Sequence, residues 1–123
     1  MAVVLVVEDE IFTCDIAGAF IEDFGHEAHC ANDVQTAHAI IRSTQHFDVL
    51  FTDIRLQDAI DGGYLVAWEA VKHRPAIKVL YTSGGNLNDE MKNNFVDEAH
   101  FLQKPYSVEQ LRASLARLLA IPD

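Results

Sequence analysis

Basic residues are scarce in this chain. Nine Lys and Arg stand against nineteen Asp and Glu, a formal charge of −10 over 123 residues. A surface this acidic repels phosphate backbones and anionic headgroups, so neither direct nucleic-acid binding nor membrane attachment is expected. Cysteine is scarce as well. Cys14 and Cys30 are too few for a disulfide framework, and their apolar neighbours mark each as a reduced, buried thiol. No apolar run approaches bilayer length. The N-terminus lacks the basic segment, apolar stretch and small-residue cleavage site of a secretory signal, and acids follow Val7 at once. The expected location is the cytoplasm. The six histidines are scattered, and no cysteine or second histidine pair joins His26 and His29 in a zinc pattern. What the chain does have is apolar bulk. Half its residues are hydrophobic, which argues against disorder. Its length suits one domain, residues 1–123, able to bury a core.

Hydrophobic periodicity divides that domain into alternating elements. The β-branched run Val3-Val4-Leu5-Val6-Val7 predicts a first strand over 1–7, buried on both faces and broken by Glu8-Asp9-Glu10. From Ile11 to Phe24 the period is helical, with Ile16, Phe20 and Phe24 on one face, Ala17 and Ile21 beside them, and Gly25 as a left-handed cap. A short strand over 27–31 precedes Asn32-Asp33, a helix N-cap. Val34, Ala37, Ile40 and Ile41 form the next stripe, which frays near Gln45-His46. The third strand covers 49–52 and ends on Asp53. An aperiodic stretch over 54–62 ends in the turn signal Asp61-Gly62-Gly63. Tyr64, Leu65, Trp68 and Val71 then predict the apolar face of a helix closed by Pro75.

The fourth strand is expected over 77–81, with Thr82-Ser83-Gly84-Gly85-Asn86 as a small flexible loop. A fourth helix over 87–96 is weakened by Asn88, Asn93 and Asn94. A fifth strand covers 99–102. Ser107 and Gln110 make a capping box, Tyr106 is placed to staple onto Leu111, and Val108, Leu111, Leu115 and Leu118 form the last buried stripe. Five strands alternating with five helices predict an α/β fold. Right-handed crossovers then require a parallel sheet with helices on both faces. Alternation alone leaves the strand order open.

Three strands end in polar groups: the first in Glu8-Asp9, the third in Asp53, the fourth in Thr82-Ser83-Gly84. Ligands of open parallel sheets bind beyond the carboxyl ends of the strands. Three carboxylates gathered there suit a hard divalent cation, and magnesium takes oxygen ligands of this kind. Lys104, from another strand end, is either an ion-pair partner or a ligand for a phosphoryl oxygen. Thr82 offers a hydroxyl to the same oxygen. A carboxylate among such groups can act as a nucleophile toward phosphorus, because phosphoryl transfer needs mainly positioning and charge neutralisation. Each feature alone has an ordinary reading as a turn, a helix N-terminus or a loop dipeptide. Their combination on successive strand ends is what singles them out.

With these residues in place the sequence resembles the receiver (CheY-like) domain of two-component response regulators over nearly its whole length. The resemblance rests on Val-Val-Glu8-Asp9, Thr-Asp53-Ile-Arg55, Tyr-Thr82-Ser-Gly84 and Phe101-Leu-Gln-Lys104-Pro105. It implies a flavodoxin-like (βα)5 three-layer sandwich of strand order 2-1-3-4-5. It implies that Asp53 accepts a phosphoryl group from a sensor histidine kinase or a histidine phosphotransfer protein. Asp9, Asp53 and the backbone carbonyl of Arg55 would bind Mg2+ directly, and Glu8 through a water. Thr82 and Lys104 would bind phosphoryl oxygens, and Phe101 would be the aromatic that reorients. Arg55 and Gly84, each two positions beyond a site residue, would tune the lifetime of the aspartyl phosphate.

The chain departs from the family at Gln57, where proline is common, in the slightly long 53–62 loop, and at Asp97-Glu98-Ala99-His100, where small residues and glycine are usual. No output domain is expected within these residues, so the readout is a protein-interaction surface formed by helix four, strand five and helix five, Tyr106 included. The downstream target is unnamed by the sequence. A phosphate sink within a relay and a phosphorylation-independent binding module are the alternatives within this architecture. An enzyme of the dehalogenase-like phosphatase type is disfavoured, because Arg55 stands where that class places its general-acid aspartate.

Overall fold

A computed structural model describes residues 1–57 and 59–121; Asp58, inside the 53–62 loop, lies outside the described residues. The order is β1 (Val3–Val7), α1 (Ile11–Asp23), β2 (Glu27–Ala31), α2 (Val34–Ile41), β3 (Val49–Asp53), α3 (Gly62–His73), β4 (Lys78–Ser83), α4 (Asp89–Asn93), β5 (His100–Gln103) and α5 (Val108–Leu119). The strands form one parallel sheet in the order β2-β1-β3-β4-β5, the flavodoxin-like arrangement expected. No described helix is long and apolar enough to cross a membrane.

Successive strand residues point to opposite faces of a sheet. Val4, Val6, Val49, Phe51, Leu80 and Leu102 therefore pack beneath α1 and α5, while Leu5, Val7, Leu50, Val79 and Tyr81 pack beneath α2 and α3. Both faces of β1, β3 and β4 are covered, which is why their sequences are continuously apolar rather than alternating. Each fully buried Leu or Val contributes about 1.5–3 kcal/mol by leaving water.

The caps follow the sequence. Gly25 adopts φ +96°, its amide donates to Glu22 and the His26 amide to Ile21, closing α1 as a Schellman motif. Asp33 accepts from the Thr36 amide at the start of α2, and Ser107 and Gln110 form the reciprocal capping box of α5. Leu111 is buried in the same apolar cluster that Tyr106 packs against, as a staple requires.

Two helix faces differ from expectation. Cys14, Ala17, Gly18 and Ile21 are the buried residues of α1, whereas Ile16 is exposed. In α3 the buried residues are Gly62, Gly63, Val66, Ala67 and Ala70, and Leu65 and Trp68 face solvent. In both cases the small residues face the sheet because they allow the helix to come close. The bulky side chains that dominate the apolar periodicity are left outside. Gly62-Gly63 is accordingly the first turn of α3 rather than a turn before it.

Strand and helix ends shift as well. β1 begins at Val3. β4 is displaced by a residue at its start and runs two residues further, so Thr82 and Ser83 are strand residues paired with Leu102 and Gln103. β5 is displaced one residue toward the C-terminus. α2 closes at Ile41 with Arg42 as its C-cap, before Gln45-His46. α4 keeps only five residues. Asn88 caps its start and Asn94 ends it, with the Asn94 side chain donating to the Glu90 carbonyl, so the asparagines confine the helix rather than merely weaken it. Cys14 is buried as expected, but Cys30 is only half-buried.

Candidate phosphoryl-acceptor site

The site follows from the two-residue period of the sheet. On β1, Val4, Val6 and Glu8 share a face; on β3, Val49, Phe51 and Asp53; on β4, Leu80 and Thr82; on β5, Leu102 and, just beyond the strand, Lys104. The apolar members of these sets all belong to the cluster beneath α1 and α5. Glu8, Asp53, Thr82 and Lys104 continue the same rows at the carboxyl rim, where the apolar filling ends. Four residues spread over nearly a hundred positions converge because parallel strands end together.

Backbone bonds fix each of them from behind. The Glu8 amide donates to Ala31, and the Asn32 side chain donates to the Glu8 carbonyl. The Ile54 amide donates to the Thr82 carbonyl, and the Lys104 amide to Ser83. Beneath Asp53 the Gly63 amide donates to the Ile54 carbonyl at 2.8 Å. A Cβ on Gly63 would lie 2.2 Å from the Asp53 carbonyl oxygen, so this approach is open to glycine alone.

Glu8 and Asp53 are buried and Asp9 is half-buried. One carboxylate oxygen from each lies within 4.8 Å of the others. The Lys104 ammonium donates to Glu8 Oε2 at 2.8 Å and to Asp53 Oδ2 at 3.0 Å. Thr82 is buried, and its hydroxyl donates to the Leu102 carbonyl at 2.6 Å. Burial pushes the Glu8 carboxyl up to about 7; Lys104 opposes this and the neighbouring Asp9 and Asp53 add to it. Burial alone would lower the Lys104 ammonium, but its bonds to Glu8 and Asp53 outweigh that and raise it. Three acids share one lysine charge. Such a set of hard oxygen donors with surplus negative charge fits Mg2+.

Arg55 and Gly84 are both exposed, two residues beyond Asp53 and Thr82 respectively, and a Cβ on Gly84 would meet nothing within 4 Å. Phe101 sits on the opposite face of the sheet from the acids, half-buried and stacked on Phe95 with centroids 6.3 Å apart. Tyr106, expected on the face of α4, β5 and α5, lies on the opposite side of the sheet from Phe101. It packs edge-on against Phe51, on the side of the acids, and lines a small cavity with Glu8, Asp53 and Thr82. The sequence signal for this was present: Tyr106 lies two residues past Lys104 and so continues the same row.

Comparison with known proteins agrees with this geometry. The response regulator receiver domain family matches residues 4–116. Transcriptional regulatory protein ZraR of Escherichia coli K12 is 31% identical over 121 residues, 95% of this chain and 26% of that protein. Hybrid signal transduction histidine kinase K of Dictyostelium discoideum is 26% identical over 120 residues, 91% of this chain and 10% of that protein. The chain thus spans about a quarter or less of these curated relatives. The crystal structure of a response regulator receiver protein from Sinorhizobium medicae WSM419 superposes with a TM-score of 0.86 at 26% identity, covering 96% of this chain and 94% of that one.

Proposed function

The chain belongs to the response regulator receiver domain family of two-component signalling, and on that footing we propose that Asp53 is its phospho-acceptor, charged by a sensor histidine kinase or a histidine phosphotransfer protein. One observation carries the reading: a buried aspartate at the end of β3 has a lysine 3.0 Å from its carboxylate and two further acids within reach of a shared cation. Receiver domains are typically signalling modules rather than turnover enzymes, and the chemistry ascribed to this site is the loading and unloading of its own aspartate.

In the loading step an Asp53 oxygen attacks the donor phosphorus. The new O–P bond forms as the N–P bond to the donor histidine breaks, and its electron pair stays on the imidazole. Little covalent help is needed beyond position and charge. Asp53 is held in place from below by the Gly63 contact. The Lys104 ammonium neutralises a phosphoryl oxygen, exchanging its carboxylate bonds for a bond to the incoming group. The Thr82 hydroxyl leaves the Leu102 carbonyl and donates to a second oxygen. Asp9, Asp53 and the Arg55 carbonyl would hold Mg2+, with Glu8 beside them, and the ion when bound would supply charge neutralisation on the phosphoryl oxygens.

Departure of Thr82 from Leu102 opens space beside β5. Phe101, the residue before Leu102 and on the opposite face of the sheet, would respond through the β5 backbone and alter the face of α4, β5 and α5, which we assign as the readout. The experiment is phosphotransfer from a phosphorylated histidine donor to this protein. Label should appear on wild type and be absent from Asp53→Asn. Transfer to both alike would overturn the assignment.

A further inference from the structure

β4 carries a second polar group that the phosphoryl chemistry does not use. Tyr81 precedes Thr82 and therefore points to the opposite face, where it is fully buried. Its hydroxyl oxygen accepts the Val96 amide at 3.2 Å. Its ring stacks on Phe95, with centroids 4.3 Å apart and planes 25° apart. Tyr64 of α3 meets both rings edge-on or tilted, at 5.7 Å and 6.2 Å. Phe95 in turn stacks on Phe101. The Tyr81 hydroxyl thus ties the segment between α4 and β5 to the sheet, from the residue adjoining the threonine of the candidate site.

The segment's own apolar side chains, Met91, Phe95, Val96 and Ala99, pack against the core but stay only partly buried. α4 is one short turn and a half with no buried residue. Glu98 takes φ 63°, a left-handed conformation that a residue with a Cβ seldom adopts, so the chain enters β5 under local strain. The Ala99 amide reaches Val96 at 3.3 Å, a long bond. A strained, partly buried segment tied to a fully buried hydroxyl has the makings of a two-state element.

From this geometry we infer that the Tyr81 hydroxyl is a positioning group that clamps the Val96 amide and couples the acceptor site to the α4–β5 segment. When Thr82 shifts, the β4 backbone shared with Tyr81 moves the clamp, and Val96, Phe95 and Phe101 follow together. The inference rests on the proposed acceptor role and names the path by which that role leaves the site. Tyr81 touches neither donor nor phosphoryl group, so its loss should leave loading of Asp53 intact.

The test is amide-resolved NMR on the whole protein, free and with Mg2+ and beryllofluoride, a phosphoryl mimic. Tyr81→Phe deletes one oxygen and keeps the ring stack. Phe95→Leu is the second variant, loosening the stack on Tyr81 while keeping the Tyr81 hydroxyl and the β4 sequence. Tyr81→Phe should raise hydrogen exchange of the Val96 amide in the free protein about tenfold or more. Beryllofluoride should still shift Asp53 and Thr82 in the variant as in wild type, while the shifts over residues 94–101 shrink to half or less. Phe95→Leu should reduce the same remote shifts with the site unchanged. If Tyr81→Phe leaves the remote shifts at wild-type size, with or without faster Val96 exchange, the clamp plays no part in coupling. A wild type that does not respond to beryllofluoride at all would refute the acceptor reading and the coupling with it; a normal wild-type response with an indifferent variant overturns the clamp alone.

Discussion

Lys104 holds Asp53 across 51 positions of sequence, Nζ to Oδ2 at 3.0 Å, and holds Glu8 with the same ammonium at 2.8 Å. One cation therefore serves two buried carboxylates, and a third stands within 4.8 Å. Removing the cation strands the acids. Lys104→Met, which keeps most of the stem, is expected to lower stability by about 1–3 kcal/mol in metal-free buffer at pH 7; the half-buried lysine places the loss below that of breaking a fully buried pair. Millimolar Mg2+ should recover part of it. Urea denaturation with EDTA and with Mg2+ checks both. A variant as stable as wild type in EDTA would show that the lysine charge is not needed there.

Gly63→Ala tests how the acceptor is positioned. The new methyl would stand 2.2 Å from the Asp53 carbonyl oxygen and 2.6 Å from the Ile54 Cα. Both are backbone, so either α3 or the end of β3 must move. Overpacking of this kind costs about 1–3 kcal/mol. The rate of Asp53 phosphorylation should fall with it. Gly84→Ala, with nothing within 4 Å, is the control and should leave stability unchanged.

Asp48 sets an acid dependence at the other end of the sheet. Burial works against its charge, but the Val3 amide at 2.8 Å and His46 at 2.8 Å outweigh it and hold the carboxyl below the usual range. A depressed folded-state pKa stabilises above the unfolded value near 3.9, and that stability is lost as pH falls through the folded value. Asp48→Asn should cost about 1 kcal/mol at pH 7, at the low end for a charged hydrogen bond because the side chain is partly exposed. The gap to wild type should narrow as pH falls below the unfolded value of about 3.9. A stability gap that stays constant from pH 7 down to acid unfolding would contradict this.

In the acceptor reading proposed above, Arg55 and Gly84 would flank the approach of water to a phosphorylated Asp53. Both are exposed, and Gly84 leaves that approach open. Gly84→Glu should change the rate of phosphate loss by several-fold, and Arg55→Ala should change it as well, measured by decay of labelled protein after donor removal. Unchanged decay in both variants would remove these positions from control of lifetime.

The convergence of the candidate site was legible because it obeys the sheet's own period. Glu8, Asp53 and Thr82 stand at strand ends in register, Lys104 lies two residues beyond the Leu102 that pairs with Thr82, and each strand announces itself by an apolar run. The helix faces of α1 and α3 were misread for a related reason. Apolar periodicity weights bulk, so Trp68 and Ile16 drew the stripe toward themselves. The packed faces belong to Ala17, Gly18, Gly63, Ala67 and Ala70, whose smallness lets the helices lie close. The reach of β4 through Ser83 was not legible either, because Thr82-Ser83-Gly84 looks like a loop until β5 pairs with it. Tyr81 escaped notice because a tyrosine inside a strand gives no sign of the amide it will meet fifteen residues on.

The most direct measurement is the intact mass of the protein after treatment with acetyl phosphate and Mg2+. Wild type should gain the mass of one phosphoryl group, lose it on standing, and gain none when EDTA replaces Mg2+. Asp53→Asn should gain none under any of these conditions. Equal labelling of wild type and Asp53→Asn would contradict the account at its centre.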